Sequence, residues 1–69
     1  MMIRLVENTD DRKEYVIDLG HLLVHCWWLK VERRQGGYME RKSNGEIVDR
    51  FSFATVMDMY RYIDSYCEL

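Results

Sequence analysis

Two adjacent tryptophans, Trp27 and Trp28, close an uncharged stretch of eleven residues, 19–29, within a chain of 69 residues. Each indole can bury on the order of 200 Å², which at about 25 cal/mol per Å² is worth at most roughly 5 kcal/mol per ring. A domain of this length buries only about 60% of the surface its unfolded chain exposes, so it has little core to offer. The fold is therefore constrained first by where two large rings go. Apolar surface is expected to be left over beside them.

Residues 20–35 carry the decision, and they can be read in two ways. As a helix they end in Lys30, Arg33 and Arg34 before Gly36, which suits the macrodipole and the C-cap. A displacement of 32 residues then sets Val16 on Val48, Val24 on Val56 and Trp28 on Tyr60, as in two ββα units with residues 21–35 helical. Against this, Leu22, Leu23, Val24, Cys26, Trp27, Trp28, Leu29 and Val31 surround such a helix on all sides, and a chain this short cannot bury it. As a strand, Leu23, His25, Trp27, Leu29 and Val31 face one way and Val24, Cys26, Trp28 and Lys30 the other. Gly36-Gly37 then makes a two-residue hairpin with Arg33 opposite Glu40 and Glu32 opposite Arg41. The strand is the reading adopted.

The flanks agree with it. Ile3 and Leu5, and then Tyr15, Ile17 and Leu19, recur at the two-residue period of half-buried strands, with turn chemistry in Asn8-Thr9-Asp10-Asp11 between them. Asn44-Gly45 signals a second hairpin. A loop of those two residues alone would set Glu40 against Asp49, so a three-residue loop including Ser43 is favoured, with Lys42 opposite Glu46. From about residue 53 the period changes: Val56, Met59, Tyr60, Ile63 and Cys67 fall on one helical stripe. Its N-cap is either Ser52 or Thr55, the latter completing a capping box with Asp58. The expectation is one α+β domain over residues 1–69: an antiparallel meander of strands at 2–7, 13–19, 22–34, 38–42 and 46–52, with a C-terminal amphipathic helix at 54–67 on one face.

Charge and motifs exclude more than they assign. Ten Lys+Arg against twelve Asp+Glu give a net charge of −2, with a local excess of +2 confined to residues 30–50. That is well short of a committed nucleic-acid footprint. The opening residues lack the apolar core of a secretory signal, and the longest uncharged run is about half of a membrane span. With only two cysteines, no disulfide framework is expected, and the protein is read as cytoplasmic with reduced thiols. His21, His25, Cys26 and Cys67 are metal-capable, yet Leu22 holds the acid's place in a His-Glu-x-x-His motif, and on a strand His25 and Cys26 diverge. No phosphate loop or nucleophile elbow occurs. Catalytic residues, metals and cofactors are not expected.

What remains is a non-enzymatic protein-interaction module, self-associating as a homodimer through an apolar face that carries Trp27 or Trp28 with Val24 and Cys26. The alternative is a single-stranded nucleic-acid binder on the basic, aromatic meander, using Arg33, Arg34, Tyr38, Arg41, Lys42 and Arg50.

Overall fold

Alternation through the first three quarters of the chain becomes a five-stranded antiparallel meander. The computed structural model describes residues 1–67 and orders the strands β1 (Met2–Asn8), β2 (Arg12–Asp18), β3 (Leu22–Val31), β4 (Arg34–Ser43) and β5 (Glu46–Phe53), each beside its sequence neighbour. The helix α1 (Val56–Cys67) follows and packs across β3 and β4 on one side only. The α+β class is as expected. The ββα alternative fails because residues 22–31 are extended, which lets the sheet divide their apolar side chains between two faces.

Beneath the helix lies the core: Ile17 and Val24 are paired across β2 and β3, Cys26 sits beside Met39, and Trp28, Phe53, Met59 and Ile63 complete it. The helix joins through the expected stripe, with Met59 and Ile63 buried and Val56, Tyr60, Tyr62 and Tyr66 partly so. Cys67, expected on that stripe, is exposed, and Tyr66 takes its place. Thr55 is the N-cap. Its hydroxyl oxygen accepts from the Asp58 N–H at 3.2 Å, and Asp58 Oδ2 accepts from the Thr55 N–H at 3.3 Å, so each end of the box covers an otherwise unpaired donor.

Both inner hairpins differ from expectation. The β3–β4 turn is Glu32-Arg33, with Val31 opposite Arg34, and Gly36 and Gly37 lie inside β4. Glu32 carries the positive φ of 57° that a primed turn demands at its first position. Gly37 is needed in the strand because a Cβ there would lie 2.0 Å from the Trp27 carbonyl oxygen and 2.5 Å from the Phe53 ring. Close approach, not turning, is what the glycine serves. The turn moves by an even number of residues, so side chains that stay in β3 or in β4 keep their predicted face although their partners change, while Arg34 passes from β3 to β4 and with it to the other face.

At the other hairpin the loop is Asn44-Gly45 alone, with φ of 53° and 84° and Ser43 opposite Glu46. The expected clash of Glu40 with Asp49 is avoided by a bulge rather than a longer loop. Val48 is the extra residue: Lys42 pairs with Ile47, then Arg41 with Asp49 and Glu40 with Arg50. Two opposite-charge pairs result.

Candidate functional site: the open face of the sheet

The helix occupies one side of the sheet, and among the described residues no second layer lies on the other. Register places side chains on it in rows. Glu7, Glu14, Trp27, Tyr38 and Ser52 form one row, and Arg4, Val16, His25, Glu40 and Arg50 the next. Outside these lie Arg12, Leu29 and Gly36 at one end, and Met2, Asp18, Leu23, Lys42 and Ile47 at the other. Down the middle, β3 presents Leu23, His25, Trp27, Leu29 and Val31. Leu29 and Val31 are 44% and 58% exposed, so the middle strand of this face is wet where it is most apolar.

Trp27 is not left bare. Its ring is stacked on His25 with centroids 3.6 Å apart and on Tyr38 at 4.6 Å, both within about 20° of parallel. Rings in van der Waals contact lie about 3.5 Å apart, so His25 sits nearly over the indole and Tyr38 is offset-stacked on it, and the two would overlap on one side. They therefore cover opposite faces, and Trp27 is sandwiched. His25 is held in turn by its Nε2–H, which donates to Glu14 Oε2 at 2.7 Å. The carboxylate comes from the neighbouring strand, one row away, because Glu14 stands opposite Trp27.

The sequence-predicted interface residues separate sharply. Trp27 lies on the open face. Val24, Cys26 and Trp28 lie on the other, at 0%, 0% and 4% exposure beneath α1, and so present no surface to a partner. The physical reason is parity: even-numbered residues of β3 all turn to the helix. Trp28 keeps its Nε1–H satisfied by donating to Gln35 Oε1 at 3.3 Å. Burial pushes the Cys26 thiol up to about 12, which leaves it an inert core group.

The basic residues are divided as well. Arg34, Tyr38, Lys42 and Arg50 share the open face, while Arg33 stands in the β3–β4 turn. Arg41 is on the helix side, where its Nε donates to Asp49 Oδ1 at 2.6 Å and its Nη1 reaches Tyr66 Oη at 3.4 Å. These bonds raise the Arg41 pKa and lower that of Asp49. On the open face five cations, Arg4, Arg12, Arg34, Lys42 and Arg50, stand among four anions, Glu7, Glu14, Asp18 and Glu40. Glu40 is close to Lys42, at 3.6 Å.

A cleft of about 350 Å³ opens at one end of the face, with Glu7, Arg12, Glu14, Leu29 and Tyr38 around the side-chain-free position Gly36. Leu23, Leu29, Val31 and the charges of β1 and β2 were not singled out from sequence. Their signal was there in the parity they share with Trp27, but it needed the pairing of β1 with β2 to be read as one surface. Among the described residues no group of three or more His, Cys, Asp or Glu side chains converges as a metal site, and no helix is long and apolar enough to cross a membrane. No protein-family model matches the chain, and neither does a curated protein or a solved structure.

Proposed function

We propose that this chain is a non-enzymatic protein-interaction module that self-associates through the open face of its sheet, with Trp27 at the centre. The supporting observation is the unpaired layer: β3 exposes Leu29 and Val31 and half-exposes Leu23, with Met2, Tyr38 and Ile47 around them, on a face that none of the described elements covers. A stable domain is built from packed layers, and an apolar stripe on an uncovered sheet is stabilised by a second one. A homodimer supplies it most simply. We place the protein in the cytoplasm, a reading supported by the two unpaired cysteines.

The nucleic-acid alternative has less to work with. Sheet platforms stack bases on free aromatic faces, and both faces of Trp27 are occupied by His25 and Tyr38. The cations of the face are nearly balanced by carboxylates, and Arg41 is turned away from it.

Sedimentation of the wild type from micromolar to near-millimolar concentration tests the proposal beside Leu29→Glu, whose side chain is on the face and outside the core. The wild type is expected to dimerise and the variant to stay monomeric with unchanged circular dichroism. A wild type that is monomeric throughout refutes the proposal, and salt-sensitive retention of an oligonucleotide by that monomer would move the assignment to the alternative.

A further inference from the structure

Resting on that reading of the open face, we infer that its occupant is a second copy of this chain laid antiparallel, β3 upon β3, about a two-fold axis that crosses the strands between the rows of Trp27 and His25. The charges decide the axis. Rotation about that line exchanges the row of Glu7 with the row of Arg4, and the row of Arg12 with the row of Asp18. Arg4 then meets Glu7 of the second copy and Arg12 meets its Asp18, each contact occurring twice by symmetry. Leu23 meets Leu29, Trp27 meets His25, and Tyr38 meets Glu40, to which its hydroxyl can donate. Lys42 falls over Gly36, where the cleft leaves room for its arm.

No like charges are opposed in this arrangement. The other in-plane axis, along β3, sets Arg4 over Arg50 twice, and its one complementary pair is Asp18 with Lys42. Like charges set against each other across an interface cost enough to choose between two otherwise similar registers. Among the described residues Arg4, Glu7, Arg12 and Asp18 have no ion-pair partner within the protomer, so none must be broken to form these contacts.

Geometry permits it. Two sheets stacked face to face keep their strands within about 30° of each other, a rotation that displaces Asp18 from Arg12 by a distance a guanidinium arm can span. With overall extents of 37 by 19 Å the face offers at most on the order of 700 Å² per protomer, toward the lower end of a standard interface of ~800 Å² per partner. The strand edges are less suited to joining copies, because Val6 and Val48 are bulged residues on β1 and β5, the two edge strands.

Charge reversal tests the register. Arg12→Glu and Asp18→Arg are each expected to weaken dimerisation at least tenfold, since each places two like-charge contacts in the interface, and the double variant to return to within about threefold of wild type. Asp18 Oδ1 also accepts the Gly20 N–H at 2.8 Å, so Arg4→Glu, Glu7→Arg and their double provide a second cycle that leaves this turn intact. Rescue in both cycles, or in the β1 cycle alone if the Asp18 variants lose their circular dichroism signal, supports the antiparallel register. A dimeric wild type whose folded single variants dimerise normally, or whose doubles are not rescued, overturns the register while the self-association reading stands. A monomeric wild type removes both.

Discussion

One strand, β3, carries both tryptophans, and the two faces of the sheet treat them in opposite ways. On the helix face Trp28 lies in the buried core cluster at 4% exposure, with its single polar atom bonded to Gln35. On the open face Trp27 is clamped between two other rings whose polar ends reach water or Glu14. The first solution removes a ring from solvent and uses the helix α1 to do so. The second shields the ring's faces within the protomer and leaves its rim accessible. A small domain thus holds one side shut by packing and keeps the other presentable. Exposed Leu29 and Val31 mark where the shielding stops.

The strongest test of this contrast replaces each ring by alanine and reads stability from urea unfolding at low protein concentration. Trp28→Ala opens a cavity in the core and is expected to lose about 3–5 kcal/mol, which leaves a domain of this size largely unfolded. Trp27→Ala removes two stacking contacts from a half-exposed site and should lose about 1–2 kcal/mol. Equal losses would mean that the faces do not differ as described.

The adjacent glycines repeat the contrast on a smaller scale. Gly37→Ala drives a Cβ into the Trp27 carbonyl and the Phe53 ring, and displaced backbone should cost about 3 kcal/mol. At Gly36 the nearest atom to an added Cβ is 3.7 Å away, so Gly36→Ala should stay within about 0.5 kcal/mol of wild type. The same denaturation measurement separates them.

Those glycines also show where reading the chain alone stops. The alternation of β3 and the 3.6-residue stripe of α1 are local patterns, so the elements and the face of most of their side chains were legible, with Arg34 and Cys67 as exceptions, and the Thr55 to Asp58 box was one of the two caps they allowed. Strand register is not local. Gly36-Gly37 carries a strong turn signal, yet the space between Trp28 and Phe53, its partners on either side in one row of the sheet, claims Gly37 for the strand. The bulge at Val48 is of the same kind: the unfavourable pairing of Glu40 with Asp49 was visible, but an extra residue in β5 relieves it as well as a longer loop does. The candidate site was half legible. Parity put Trp27 and Trp28 on opposite faces, but only the position of the helix decides which face is covered, and that places Val24, Cys26 and Trp28 beneath α1 and off the open face.

A smaller effect tests what holds the cover in place. The helix is fastened at its start by the Thr55 hydroxyl, and Thr55→Ala leaves the Asp58 N–H without that acceptor. A loss of about 1 kcal/mol is expected, with Thr55→Ser retaining most of the stability. Because the cap touches only the covered side, dimerisation of folded Thr55→Ala should be unchanged, and a weakened dimer would show that the two faces communicate.

The smallest effect is electrostatic and confined to the rim of the covered face. Asp49 bonds through both oxygens to Arg41, which also reaches Tyr66 on the helix, and the guanidinium holds the Asp49 pKa below its usual value. A carboxyl with a depressed folded-state pKa contributes stability that is complete above its unfolded value near 3.9 and is lost as pH falls through the lower folded value. Acid should therefore loosen the helix side first. Urea midpoints measured from pH 5 down to pH 2 should fall more steeply for wild type than for Asp49→Asn, with the difference reduced in high salt because the pair is partly exposed. Parallel slopes would mean that the pair contributes nothing to closing the helix onto the sheet, leaving apolar packing around Trp28, Met39 and Met59 to hold it alone.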